Sequence, residues 1–255
     1  MKLNKINLKM KIVIKLTISI VVIVFNLSKM SGQDDINDKI QTRVNKAISQ
    51  LDWAGILKYQ DQNKDLSLKD SISPYIIFMG DSITEGWSDF YPDFFSSNNY
   101  INRGISGQTT SQMLLRFRQD VIDLKPKGVV ILAGINDIAK NTKYYGIELV
   151  AENIFSMVEL AKANNIRPII CSVLPADKFP WNPKVYPAEL VKKLNILLES
   201  YAKEEGIKFL DYYAYMNNNK GGMIDNLTND GVHVTSEGYK LMIKLVQQAL
   251  NDLKI

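Results

Sequence analysis

Residues 76–87 read IIFMGDSITEGW, a short apolar run that stops abruptly at Gly80-Asp81-Ser82. An apolar run of this length, bounded by turn residues, is the pattern of a strand buried on both faces. Four further runs share it: 100–102 (YIN), 128–133 (GVVILA), 167–173 (RPIICSV) and 207–211 (IKFLD). Between them the spacing predicts helices over Thr110–Leu124, Tyr145–Asn164 and Ala188–Glu205, and a last one over Ser236–Leu253 with Ser236 as N-cap. Alternation of this kind makes an α/β fold with a parallel sheet covered on both faces. In such sheets ligands sit beyond the carboxyl ends of the strands. The chemistry is therefore sought just after each run.

Composition sets the outer bounds. The chain has 255 residues, 46% hydrophobic and 23% charged, which is ordinary for a globular protein with one sizeable core. Its first 33 residues differ: Lys2, Lys5, Lys9, Lys11 and Lys15 precede the apolar run LTISIVVIVFNL (16–27), the layout of a secretory signal peptide. Lys29 and Met30 blur the cleavage site, and an uncleaved membrane anchor is the alternative. Residues 1–33 carry six Lys and no acid, so their removal takes the formal charge from +4 to −2. The basic balance therefore gives no ground for nucleic-acid binding. Cys171 stands alone, which excludes an intrachain disulfide. Residues 34–70 read as an amphipathic helical lead-in, with Ile40, Val44, Ile48, Leu51 and Trp53 on its apolar face. Within it, Asp61, Asn63, Asp65 and Ser67 imitate a calcium loop, but Leu66 and Ile72 occupy the places that need Gly and Glu.

His233 is the only histidine, and Asp230 precedes it by three residues in DGVH. In a turn that carboxylate can accept a bond from one ring nitrogen and leave the other free as a base. Ser82, directly after the first strand, is the candidate nucleophile, with its N–H at the start of a helix that favours negative charge. Gly-Asp-Ser alone decides nothing, since it arises by chance in about one chain in ten of this length. Gly104 offers an unobstructed N–H and Asn136 a side-chain amide, both suited to an oxyanion. Each feature also has a plain reading as turn chemistry. Their common location at the rim of one sheet is what joins them.

These blocks, GDSIT, RGISGQ, GIND and DGVH, resemble the SGNH hydrolases, also called the GDSL esterase family, in family order from about Tyr75 to the C-terminus. GDSITEGW and LAGINDIA look most similar to the branch of platelet-activating-factor acetylhydrolase-like and lysophospholipase-like esterases. The resemblance implies a flavodoxin-like three-layer α/β/α sandwich over 71–255 with a five-stranded parallel sheet. It also implies Ser82 as nucleophile, His233 as base, Asp230 as its orienting acid, and an oxyanion hole from Ser82 N–H, Gly104 N–H and the Asn136 amide. Ile83 stands where the family name has Leu, which touches nothing catalytic.

Gly-x-Ser-x-Gly is missed at both serines, because Thr84 and Gln108 occupy the last position. One His and one Cys make a metal hydrolase a poor reading, and acyl transfer to serine needs no cofactor. Trp87, Phe90 and Tyr91, and Phe179, Trp181 and Tyr186 in 174–187 (LPADKFPWNPKVYP), could line a substrate site or equally serve packing; Trp87, Phe179 and Trp181 are the foremost candidates for the site. The expectation is a secreted or periplasmic serine esterase, or one held at a membrane only by its N-terminal segment. It would act on a small-molecule or polysaccharide ester, with acetyl on carbohydrate as the leading case. A lysophospholipase or lipid esterase, a non-catalytic carbohydrate-binding protein and an acyltransferase are the alternatives, and the oligomeric state is left open.

Overall fold

The computed structural model describes residues 36–37, 40–41, 43, 51–67, 75–143 and 146–254. The expected signal peptide lies outside them, as does most of the stretch 34–50. Residues Trp53–Ile255 form one compact unit. Its elements in chain order are α1 (Gln60–Ser67), β1 (Ile76–Gly80), α2 (Ser82–Phe90), α3 (Pro92–Ser96), β2 (Tyr100–Gly104), α4 (Thr110–Asp120), β3 (Gly128–Leu132), α5 (Ile135–Ile138), α6 (Ile147–Ala163), β4 (Arg167–Cys171), α7 (Ala188–Glu204), β5 (Lys208–Leu210), α8 (Tyr212–Met216) and α9 (Ser236–Asp252). The five strands are all parallel, in the order β2-β1-β3-β4-β5.

The period-2 alternation of β1 builds the layers. Ile77 and Met79 enter one core with Met113 and Phe117 of α4, Met157 of α6 and Leu194 of α7. Ile76 and Phe78 enter the other with Trp87 of α2, Phe94 and Phe95 of α3, and Met242 and Val246 of α9. The result is the three-layer α/β/α sandwich. Cys171 is buried in the second core as a small apolar side chain.

Register places Gly80, Gly104 and Leu132 in one row across β1, β2 and β3. Because β2 lies on one side of β1 and β3 on the other, the chain reverses direction there, and the crevice opens beyond that row. The glycines in the row serve close approach. A Cβ on Gly80 would lie 2.0 Å from Thr84 Oγ1 and 2.9 Å from Leu132 O, and one on Gly104 would lie 2.1 Å from Glu85 N. Gly80 is therefore small because α2 folds back over it, and not because a left-handed turn requires it.

Several boundaries differ from the sequence reading. The helix predicted to Leu124 ends at Asp120, and a 3₁₀ turn covers Ile122–Leu124. The last helix is capped by Thr235, whose hydroxyl accepts from Gly238 N at 3.2 Å, and not by Ser236. Leu51, expected on the apolar face of the lead-in, is 89% exposed. Where the lead-in is described, residues 36–37, 40–41, 43 and 51 are helical, turns cover 52–54 and 56–59, and a separate helix runs over Gln60–Ser67. That helix contains Asp61, Asn63, Asp65 and Ser67, which rules out a calcium loop. The compact unit also begins at Trp53, inside the expected lead-in, because hydrogen bonds fasten this segment to α4 and β2. Gln112 Nε2 donates to Trp53 O, Gln119 Nε2 to Ile56 O, and Tyr59 Oη to Gly104 O.

Candidate active site

Asp81 is the hinge between β1 and the site. Its side chain is 1% exposed and caps α2 by accepting from Ile83 N at 3.0 Å. The cap starts the helix at Ser82, so the Ser82 N–H belongs to the first turn, where no intrahelical acceptor exists. Burial pushes the Asp81 carboxyl up to about 7; the bond from Ile83 N and the proximity of His233 oppose the rise, and Asp137 adds to it. A carboxyl raised above its unfolded value contributes stability that is full below the ordinary range and is lost as pH climbs through about 7. Asn in its place keeps the cap oxygen and does not titrate. The melting temperature of Asp81→Asn relative to the parent is therefore expected to rise between pH 5 and pH 8. A difference independent of pH over that interval would contradict this.

Ser82 Oγ lies 3.2 Å from His233 Nε2, and His233 Nδ1 lies 2.6 Å from Asp230 Oδ2. The other carboxylate oxygen of Asp230 accepts from Val232 N at 2.9 Å and His233 N at 2.7 Å, which closes the turn around it. Gly231 takes φ +90° there, a conformation that favours glycine. Thr228 fixes the same turn from behind, accepting from Gly231 N and donating to His233 O. The fold thus brings residues 82, 230 and 233 into one hydrogen-bonded chain across 151 positions of sequence.

The donors beside Ser82 differ in part from the sequence reading. Gly104 does not offer a free N–H: it donates to Asn102 Oδ1 at 2.8 Å. The glycine is needed for packing against α2, and the donor role assigned to it from sequence is corrected. Gly107, three residues on, has φ +77° and an N–H without a protein acceptor among the described residues. Its carbonyl accepts from Asn141 Nδ2 at 3.2 Å, and the same amide group donates to Asn136 Oδ1 at 2.8 Å. Asn136 Nδ2 in turn donates to Gln108 O at 3.1 Å, which leaves its second hydrogen available. Gly107 and Asn136 are therefore tied side by side. Asp137 secures this corner by accepting from Thr110 N and Thr110 Oγ1 at the start of α4. Burial raises its carboxyl to about 6 despite those bonds.

Of the expected aromatic lining, two members are corrected. Trp87 is 1% exposed, stacked between Phe94 and Tyr239. Phe179 is fully buried and belongs to the other core. Neither can touch a ligand. Trp181 is 46% exposed, and its ring centroid lies 5.8 Å from that of His233. The loop that carries it is fastened by Asn182 Nδ2 to Ala139 O. Tyr91 is hydrogen-bonded to Ser236, Phe90 lies against Tyr239, and Tyr186 is exposed. A cleft of about 600 Å³ adjoins the Asp230 turn, lined by Asp177, Lys178, Asn218 and Asn229 among others. Among the described residues no group of three or more His, Cys, Asp or Glu could hold a metal ion.

An arrangement of this kind can carry out acyl transfer. The model of the GDSL-like Lipase/Acylhydrolase family matches residues 78–241. A crystal structure of a GDSL-like lipase from Bacteroides thetaiotaomicron is 46% identical, with a TM-score of 0.75 over 78% of this chain and 98% of that one. Platelet-activating factor acetylhydrolase IB subunit alpha2 of Rattus norvegicus is 28% identical over 74% of this chain and 80% of its own length. An acetylxylan esterase of Xylanibacter ruminicola is 25% identical over 52% of this chain and 30% of that protein. The chain spans about half, 48%, of a Bacillus subtilis lipoprotein to which it is 31% identical. With well over half of its residues matched by the family model, the chain belongs to the GDSL-like lipase/acylhydrolase family and is a carboxylic ester hydrolase.

Proposed function

We propose that this hydrolase removes short acyl groups, acetyl foremost, from polyhydroxylated alcohols such as carbohydrate, with Ser82 as nucleophile, His233 as general base and Asp230 as the acid that orients it. The observation that carries the reading is the chain of contacts from Ser82 Oγ through His233 to Asp230, at 3.2 and 2.6 Å. With Nδ1–H held by Asp230, Nε2 faces the serine as an acceptor. Ser82 Oγ attacks the ester carbonyl as His233 takes its proton, and the tetrahedral oxygen gathers negative charge. Three donors fit that charge: Ser82 N–H at the positive end of α2, Gly107 N–H and the remaining hydrogen of Asn136 Nδ2. His233 then protonates the departing alcohol, and water repeats the cycle on the acyl-enzyme.

The nature of the alcohol follows from where that proton goes. The leaving group must lie on the His233 side of Ser82, and what adjoins that side is the exposed face of Trp181 and the polar cleft beside Asp230. An indole face with amides, carboxylates and a lysine nearby suits a sugar ring better than an alkyl chain. The acetylxylan esterase relative supports the same class. Export, to the periplasm or beyond, is part of this reading and is drawn from residues 1–33.

The test is fluorophosphonate labelling with the modified residue mapped by mass spectrometry, followed by turnover on a panel from acetylated oligosaccharides to long-chain lysophospholipids. The expected result is a single adduct on Ser82 and the highest kcat/KM on the acetylated sugars. An adduct elsewhere overturns the mechanism. A preference for the lipid esters overturns the substrate class alone.

A further inference from the structure

Preorganised donors stabilise an oxyanion only if something keeps them aimed before the charge develops. Asn136 is aimed by two bonds, from its Nδ2 to Gln108 O and from Asn141 Nδ2 to its Oδ1, and Gly107 is the residue just before Gln108. Asn141 holds both from one side, and what holds Gln108 holds them from the other. The Gln108 side chain is 3% exposed and used at each end. Nε2 donates to Ala54 O at 2.7 Å, and Oε1 accepts from Arg116 Nε at 2.6 Å.

Arg116 on α4 is fully buried and spends its other hydrogens on the ends of two strands. Its Nη2 donates to Gly80 O at 3.1 Å and Arg103 O at 2.9 Å, while Nη1 donates to Asp120 Oδ2 at 2.9 Å. Asp120 also accepts from Asn63 Nδ2, and Asn63 Oδ1 accepts from Arg103, so the buried charges are satisfied on all sides. A planar guanidinium with a rigid fork of donors fixes these groups relative to one another. One side chain thus references Gln108 to the residue that precedes Asp81-Ser82. On the other side the segment before α1 approaches closely enough that a Cβ on Gly55 would lie 2.8 Å from Gln108 Nε2.

We propose that Gln108 is a positioning residue of the oxyanion hole: clamped between Ala54 O and Arg116, its side chain holds the peptide that aims the Asn136 amide and the adjoining Gly107 N–H. This rests on the oxyanion role proposed for Asn136. It also makes the Trp53–Ser67 segment a working part of the hydrolase, since one of the two clamps on Gln108 comes from it.

A double-mutant cycle on the full chain tests this, with p-nitrophenyl acetate as substrate. Asn136→Ala alone is expected to lower kcat by about 10²- to 10³-fold. Gln108→Met, which keeps the shape and loses both bonds, is expected to lower kcat by about 10- to 100-fold, with KM within about twofold and full final labelling of Ser82 by fluorophosphonate. In the Asn136→Ala background the same change should cost at least about threefold less than in the parent, because only the Gly107 N–H is left for it to aim. An equal cost in both backgrounds overturns the positioning role, as does a loss that follows the labelled fraction. A parental kcat for Asn136→Ala would instead remove the oxyanion reading itself. Should Gln108→Met fail to fold, Gln108→Glu, which keeps the acceptor facing Arg116, goes through the same cycle with the same criterion.

Discussion

Ser82→Ala is expected to lower ester turnover by on the order of 10⁶-fold while leaving the fold and its stability unchanged. The loss is large because the hydroxyl oxygen is the atom that reacts, and among the described residues no other nucleophile meets His233. Among the described residues Ser82 Oγ has one partner, the His233 ring at 3.2 Å, so its removal orphans no buried group there. The position lies in the first turn of α2, whose cap is supplied by Asp81, and alanine there is a good helix former. The stability change is accordingly expected within about 0.5 kcal/mol. Residual turnover of about 10³–10⁴ over the uncatalysed reaction should persist, because the oxyanion donors and the substrate cleft remain. Circular dichroism, thermal melting and steady-state kinetics on one preparation separate the two claims. Turnover within tenfold of the parent would end the serine mechanism.

The parts of this site that were legible in the sequence are those in which a residue type and a strand end coincide. Ile76–Met79 and Gly128–Leu132 are buried on both faces, so their apolar runs announce strands without needing alternation. Once the strands are placed, Ser82 and Asn136 fall at the rim by position alone, and Asp230 and His233 are close enough in sequence to pair in any turn. The misplaced residues depend on where one hydrogen points. Gly104 and Gly107 both stand in RGISGQ, and only the fold reveals that Asn102 consumes the N–H of Gly104. Trp87 carried a usable signal that was passed over: it follows Ile83 by four residues in α2, and both lie on the buried face. Phe179 lies two residues before Trp181 in a proline-rich loop with no helical or strand period to separate inward from outward. Arg116 was illegible for a different reason. A basic residue on a predicted surface helix reads as solvated, and its burial rests on four acceptors, two of which, Gly80 O and Arg103 O, come from the ends of two strands.

Asp230→Asn is expected to lower kcat by about 10⁴-fold with the fold retained, and the reason is the tautomer rather than a lost contact. Asp230 Oδ1 receives two backbone N–H groups and Oδ2 receives His233 Nδ1–H. In the asparagine variant the carbonyl oxygen can keep the two backbone bonds, which hold the turn, and the amide hydrogens then face Nδ1. The ring is driven to carry its hydrogen on Nε2, the nitrogen that meets Ser82 at 3.2 Å, and a nitrogen already protonated accepts nothing. Burial alone would raise the Asp230 carboxyl, but the bonds from the His233 ring and from the N–H groups of His233 and Val232 outweigh it and hold it below the usual carboxylate range. A carboxyl depressed in this way stabilises the fold above its unfolded value and loses that contribution as pH falls through the folded one. The stability gap between parent and Asp230→Asn should therefore be widest near neutrality and close in strong acid. Kinetics at pH 7 and melting from pH 7 down to pH 2 measure the two effects. A loss of activity under tenfold, or a stability gap that widens in acid, would mean that Asp230 does not orient His233.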